Sequence, residues 1–228
     1  MSEVIAFDVN ETLLDLSALD PLFDDLLGSA SIRPAWFAQA LQLAFVGGLT
    51  RSYSDFSTVQ AAALSMVAAR SGRTLTSHDV DAVIGAMRML PPHEDVREAL
   101  GLLARARVRL VALTNSPLAT AEAQLAHAGI DSYFEAIVSA DEVRALKPHP
   151  SVYRAAARRC GVRIDQVRLV AAHSWDVSGA LASGARAAFV ARAGAVPSPL
   201  GPAPDLVATD LRTLADEIIR RDTGTVAV

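Results

Sequence analysis

Cysteine is almost absent from the chain: Cys160 is the single one among 228 residues, which excludes an intrachain disulfide and points to a reducing compartment. Its helical, apolar neighbourhood makes it a core filler rather than a nucleophile. Clustered positive charge is also lacking. Lys and Arg number 21 against 25 Asp and Glu, a net charge of -4, and the basic residues are scattered, so neither nucleic acid nor an anionic membrane surface is an expected partner. No apolar run is long enough for a membrane span, and acidic side chains interrupt the N-terminal apolar stretch within a few residues. Neither a signal peptide nor a membrane anchor is therefore expected, and a cytoplasmic location follows by elimination. Internal repeats and low-complexity tracts are missing too. What remains open is chemistry on a small molecule.

What the chain does have is apolar residues, 51% of the total, enough for one full core and a smaller attached lobe. Val4-Ile5-Ala6-Phe7 is a short apolar run ending in Asp8-Val9-Asn10, the pattern of a buried parallel strand with polar groups at its carboxyl end. Similar runs recur at Val108 to Thr114, Ala136 to Ser139, Val167 to Ala172 and Ala187 to Val190. Helical patterns lie between them, at about Leu118 to Ala128, Ser151 to Cys160 and Val177 to Ser183. This alternation predicts an α/β fold with a doubly wound parallel sheet, whose ligands bind beyond the carboxyl ends of the strands. Asp8, Thr114, Asn115, Lys147 and the stretch from His173 to Asp176 would converge there. The segment 15–90 breaks the rhythm with Ala- and Leu-rich helical stretches around Pro34 to Val46 and Asp55 to Ala69, and reads as an inserted helical lid. Asp20-Pro21 and Pro91-Pro92-His93 are turn signals suited to its hinges. The expected organisation is a core of 1–14 and 91–228 with a cap of 15–90. The tail from about Asp222 is expected to fray.

A carboxylate at the end of the first strand can attack an electrophile in the crevice and form an ester that water later hydrolyses. Lys147 would keep Asp8 ionised and oriented, and the Thr12 hydroxyl would tie down the loop. Alone, Asp8 reads equally well as a turn or helix-capping residue. The three other polar segments facing the same crevice favour the nucleophile.

These segments resemble the haloacid dehalogenase superfamily: Asp8-Val9-Asn10-Glu11-Thr12-Leu13, the Thr114-Asn115 pair, Lys147-Pro148, and Asp176 after the next strand. The resemblance covers nearly the whole chain and implies a Rossmann-like core with a helical cap inserted after the first strand. Most members are magnesium-dependent phosphatases, which place a second aspartate two residues after the nucleophile as general acid. Here that residue is Asn10, and an amide cannot donate a proton that way. Their later motif carries a metal-binding Asp where this chain has Ala172, and magnesium needs oxygen ligands. Trp175-Asp176 with Gly179-Ala180 following, and Tyr153 six residues after Lys147, resemble instead the 2-haloacid dehalogenase branch, which uses no metal or other cofactor. A halide leaves without a proton, so the loss of acid and cation is chemically coherent.

The resemblance implies that Asp8 displaces halide from a 2-haloacid whose carboxylate is held by Thr114, Asn115 and backbone amides, with Asn10 and Tyr153 as further substrate contacts. Water near Asp176 and Lys147 then frees the 2-hydroxy acid, the (R)-product from an (S)-substrate. Three positions depart from that branch. Asn10 stands where Tyr is common, Ala171-Ala172-His173 replaces Ser-Ser-Asn, and Phe37 occupies the place of the halide-contacting Arg. Arg33 and Arg51 read as solvated helix-end charges, whereas His173, at a strand's carboxyl end, is the better replacement donor, with a backbone-bonded structural histidine as the alternative. Trp36, Phe37 and Trp175 line a small apolar pocket or pack in the core, and a tight pocket would suit a small halogen, including fluorine. His93, His127 and His149 read as surface or turn residues. Two further readings stand beside dehalogenation: a magnesium-dependent hydrolase of a phosphate ester or other electrophile, and a catalytically silent binding protein. A homodimer is expected from the resemblance alone.

Overall fold

Val4–Phe7 is buried at every position, as a central strand covered on both faces requires, and in the computed structural model, which describes residues 2–223, it forms β1 at the centre of the sheet. Around it lie β2 (Arg109–Thr114), β3 (Ala136–Ser139), β4 (Val167–Ala171), β5 (Arg186–Val190) and β6 (Leu206–Ala208), all pairing in parallel in the order β3-β2-β1-β4-β5-β6. The sheet is doubly wound, and the chain reverses direction across it at β1, between β2 and β4. That is where such sheets open a crevice at their carboxyl ends. The expected strands appear within a residue of their predicted bounds. The exception is β6, a three-residue edge strand after a Pro-rich stretch, too short to give a periodic signal.

Helices fill the connections between β1 and β2: α1 (Asp20–Leu27), α2 (Ile32–Thr50), α3 (Phe56–Arg70), α4 (Ser77–Ala86) and α5 (Val96–Arg105). The first four, with no strand among them, make up the helical insertion. Asp55 caps α3 by accepting from the Thr58 N–H, and Thr76 with Asp79 forms a capping box on α4. An aromatic cluster joins these helices. Trp36 lies 5.2 Å from Phe23 and 6.2 Å from Phe37 between ring centroids, and its Nε1 donates to the Gln60 carbonyl at 2.9 Å. Trp36 is therefore core, not pocket lining.

The chain enters and leaves the insertion side by side. The Asp15 N–H donates to the Pro91 carbonyl (2.8 Å), the His93 N–H donates to the Leu13 carbonyl (3.0 Å), and Leu14 pairs antiparallel with Pro92. The Pro91-Pro92-His93 signal marks this crossing, but Asp20-Pro21 does not. Pro21 sits in the first turn of α1, where its missing N–H costs nothing, so the outgoing crossing falls earlier, at Leu13 to Asp15.

Beyond β2 come α6 (Leu118–His127), α7 (Pro150–Cys160), α8 (Ser174–Ala182) and α9 (Leu211–Ile218). Cys160 is buried against the sheet side of α7, as a core filler should be, and burial pushes its thiol up to about 11. Arg168, inside β4 and fully buried, was read only as part of an apolar run. Its guanidinium pairs with Asp205 and with Asp222 (2.9 Å). Asp222 also accepts from the Ser2 N–H, so the first residue of the tail expected to fray is tied down; 224–228 lie outside the described residues. Among the described residues no helix is long and apolar enough to cross a membrane.

Candidate active site

Asp8 continues β1 by one residue, its N–H donating to the Val170 carbonyl of β4 at 3.0 Å, so its carboxylate emerges where the sheet reverses. Three side chains hold it. Thr12 Oγ1 donates to Oδ2 at 2.6 Å while accepting from the Ala172 N–H at 2.9 Å, which pins the loop after β1 to the end of β4. Lys147, on the loop before α7, donates to Oδ1 at 2.7 Å. His173, capping α8, places Nδ1 3.1 Å from Oδ2. Burial alone would raise the Asp8 carboxyl, but the Lys147 ammonium and the His173 hydrogen bond outweigh it and hold it well below the usual range. Asp8 is therefore ionised.

The Lys147 ammonium has three N–H groups and uses all of them, on Asp8, on the Leu113 carbonyl (3.0 Å) and on Asp176 Oδ2 (2.6 Å). Its own backbone N–H donates to Asn115 Oδ1 at 2.7 Å. Burial favours loss of its proton, yet Asp176 and Asp8 more than compensate and raise it. Asp176 is raised by burial and by the Asp8 charge against the pull of Lys147, and lies in the first turn of α8, where a helix favours a negative charge. Tyr153 Oη donates to Asp176 Oδ1 at 2.6 Å.

Around Asp8 lies a cavity of about 10 Å³, room for roughly one water molecule, lined by Asn10, Phe37, Leu41, Phe56, Thr114, Asn115, Lys147, His173 and Trp175 as well. An open groove of about 860 Å³ runs outside it, and Phe37, Leu41, His173 and Trp175 line both. His173 is stacked between the rings of Phe37 (5.7 Å) and Trp175 (5.2 Å), so the wall between cavity and groove is aromatic. The Trp175 indole N–H is buried with no hydrogen-bond partner, an unmet donor in that wall.

The family model for haloacid dehalogenase-like hydrolases matches residues 3–184. The chain belongs to this family. Among curated relatives of this hydrolase, haloacetate dehalogenase H-2 of Moraxella sp. (strain B) is 32% identical, covering 89% of this chain and 92% of that one. The (S)-2-haloacid dehalogenase of Pseudomonas sp. (strain YL) is 27% identical, covering 93% and 92% respectively. The solved L-2-haloacid dehalogenase of Xanthobacter autotrophicus superposes with a TM-score of 0.90 at 25% identity, over 97% of this chain and 99% of that one.

The residues predicted for the hydrolase's site do not all sit in the cavity. Thr114 and Asn115 line it while also serving as acceptors, Thr114 Oγ1 from the Ser116 N–H and Asn115 Oδ1 from Lys147. Asn10 donates to Ser116 Oγ and accepts from Gln124, which makes it a fixed amide in the wall. Tyr153, expected to touch substrate, is buried behind Asp176 and lines no part of the cavity, because its hydroxyl is committed to that carboxylate. His173, proposed as a replacement halide donor, has both ring nitrogens engaged, Nδ1 on Asp8 and Nε2 on Glu11 (2.9 Å). Arg33, read as a solvated charge, pairs with Glu11 (3.4 Å) and with Asp20 instead, tying α2 to the loop after β1. His93, read as a turn or surface residue, is half-buried with Nε2 3.1 Å from the Glu11 carbonyl. The sequence assigns no site role to Glu11, Leu41 or Phe56. Leu41 was accessible to reasoning, since it stands four residues after Phe37 on one face of α2. Glu11 was not, because its position depends on a left-handed backbone turn with φ 61°.

Proposed function

We propose that this hydrolase converts a small 2-haloacid to the 2-hydroxy acid through an ester at Asp8, without a metal. The observation that carries the proposal is an ionised Asp8, held by Lys147, Thr12 and His173, in a small cavity whose lining contains no second carboxyl group to serve as the acid of a phosphatase. Asn10 carries an amide where a phosphatase needs an acid, and a halide needs none. The names of the Moraxella and Pseudomonas relatives, haloacetate and (S)-2-haloacid dehalogenase, support the same substrate class. Magnesium fits poorly here: Ala172 offers a methyl group, and Asp8 already accepts from Lys147, Thr12 and His173, two of them able to carry positive charge.

In the first step Asp8 attacks the carbon bearing halogen. Oδ2 accepts from Thr12 and His173, which leaves Oδ1, with one partner, as the attacking oxygen. Thr114 and Asn115 receive the substrate carboxylate, and Trp175, a cavity residue whose indole N–H is unmet, is the donor assigned to the departing halide in place of the arginine missing at Phe37. Water then attacks Cγ of Asp8 and releases the product. A cavity of about 10 Å³ does not admit even a haloacetate, so the insertion (15–90) acts as a cap on the core (1–14 and 91–228) and opens along the Phe37, Leu41 and Trp175 wall to let substrate in from the groove.

The test is halide release from fluoroacetate, chloroacetate and both enantiomers of 2-chloropropionate, with and without EDTA, using Asp8→Asn as control. Release that survives EDTA and disappears in the Asp8 variant is expected. Turnover restored by magnesium after EDTA treatment would return the protein to phosphatase-like chemistry.

A further inference from the structure

The proposed reaction leaves one step without a residue to perform it: the water that hydrolyses the Asp8 ester must lose a proton. Asp176 is badly placed to take it. It is fully buried, its Oδ1 accepts from Tyr153 and its Oδ2 from Lys147, and it does not line the cavity. Lys147 is an ammonium with all three N–H groups committed. His173 is different. Nδ1 points at Asp8 Oδ2 from 3.1 Å, Nε2 meets Glu11 Oε2 at 2.9 Å, and the ring lines both the cavity and the open groove.

Resting on the dehalogenase reading, we infer that His173 is a catalytic residue of the second half-reaction, the general base that takes a proton from the attacking water while Glu11 fixes its ring. The groups facing His173 are Asp8 at the end of β1, Glu11 on the next loop, Phe37 from α2 and Trp175 from α8. Arg33 and Asp20 reach it only through Glu11, and Lys147 and Asp176 lie beyond Asp8.

In the resting protein burial opposes a charge on His173, but hydrogen bonds to Asp8 and Glu11 outweigh it and push it up to about 9, so it is an imidazolium. When Asp8 forms the ester, the C–X bond breaks, halide leaves with its electron pair, and Asp8 becomes neutral. One of the two anions sustaining the imidazolium has then vanished, and His173 gives its Nδ1 proton to solvent through the groove. Neutral His173, its Nε2–H still donated to Glu11, next takes a proton from water as the water oxygen bonds to Cγ. The tetrahedral intermediate collapses, the Cγ–O bond to the product breaks, and the alkoxide takes the remaining hydroxyl proton. Asp8 is again a carboxylate and His173 again an imidazolium. The sum is haloacid plus water giving hydroxy acid, halide and one proton, as the stoichiometry requires.

The experiment follows halide release and intact protein mass after mixing with excess 2-chloropropionate. Wild type should turn over steadily with little ester. His173→Gln should release about one halide per chain and then slow by roughly 10²- to 10⁴-fold, with the ester accumulating on the peptide that holds Asp8. Undiminished turnover, or a stall without ester, overturns the inference. If wild type itself releases no halide and forms no ester, the dehalogenase reading fails first and takes this one with it. Glu11→Gln, which keeps the imidazole, guards against misfolding of the first variant. In single-turnover decay of the ester, removing the anion should move the acid limb to lower pH by about one unit. A limb at the same pH in both proteins counts against His173.

Discussion

Lys147 Nζ stands 2.7 Å from Asp8 Oδ1 and 2.6 Å from Asp176 Oδ2, a single buried ammonium shared by two buried carboxylates. Removing it leaves Asp8 with Thr12 and His173, and leaves Asp176 with the neutral Tyr153 hydroxyl as its one side-chain partner, in a medium that solvates an anion poorly. Lys147→Met should therefore abolish turnover and cost about 3–5 kcal/mol of stability at pH 7. Asp176 is already raised by burial and by the Asp8 charge, and losing the opposing pull of Lys147 moves its folded pKa further above the unfolded value. The deficit should then shrink as the pH is lowered and that carboxyl protonates. Urea unfolding of both proteins at pH 7 and pH 5 measures it. An equal deficit at the two pH values would show that lost packing, not orphaned charge, dominates.

His173 gives stability an alkaline edge. Its folded pKa of about 9 lies above the ordinary 6.5, so the favourable contribution is complete below about pH 6.5 and is lost as the pH rises through 9. Melting temperature should fall across that window in wild type. His173→Gln, with nothing to titrate there, should show a flatter profile. Parallel profiles would mean that the resting histidine is neutral.

The parts of this site that were legible in the sequence are those fixed by backbone topology. A short apolar run ending in Asp8 announces a central strand, and Thr114, Lys147 and Asp176 follow at the ends or connections of other strands, so the sheet itself gathers them. What was illegible depends on side-chain direction. Tyr153 looked like a substrate contact by its spacing from Lys147, yet its hydroxyl turns beneath Asp176. Arg33 and Glu11 are separated by 22 residues and meet only because α2 packs over the turn after β1. Asp20-Pro21 misled for a local reason: the same dipeptide serves a turn or the first turn of a helix, and only the packing of α1 decides between them.

Gly179 supports the site from behind. A Cβ built there would overlap the Tyr153 hydroxyl and the Pro148 ring and come within 3.0 Å of the Pro148 Cα. The hydroxyl would have to move off Asp176, and the Lys147-Pro148 segment would shift with it. Gly179→Ala should therefore depress kcat well beyond what a small side-chain change elsewhere on α8 does. Ser178→Ala, one residue earlier on a half-buried position, is the comparison. Equal kinetics in the two variants would show that the Tyr153 to Asp176 bond has no bearing on turnover.

Phe37 forms part of the wall of the cavity at Asp8. Its ring is 6% exposed, lies 6.3 Å from Phe56 and 5.7 Å from His173, and lines a cavity of only about 10 Å³. Truncation to Ala removes apolar contacts on the α2 side and opens the wall toward the groove. A cost of up to about 3–5 kcal/mol is expected for a ring this buried, less where the helices close over the gap. If the ring limits substrate size, Phe37→Ala should raise kcat/KM for 2-chloropropionate relative to chloroacetate. One added methylene in an apolar pocket is worth about 1–3 kcal/mol, so a shift in that ratio of tenfold or more is the expected scale. Both substrates should be measured on protein shown to be folded by its thermal transition. A ratio that stays at the wild-type value while both rates fall together would assign Phe37 to packing alone and move the size limit to Leu41 and Phe56.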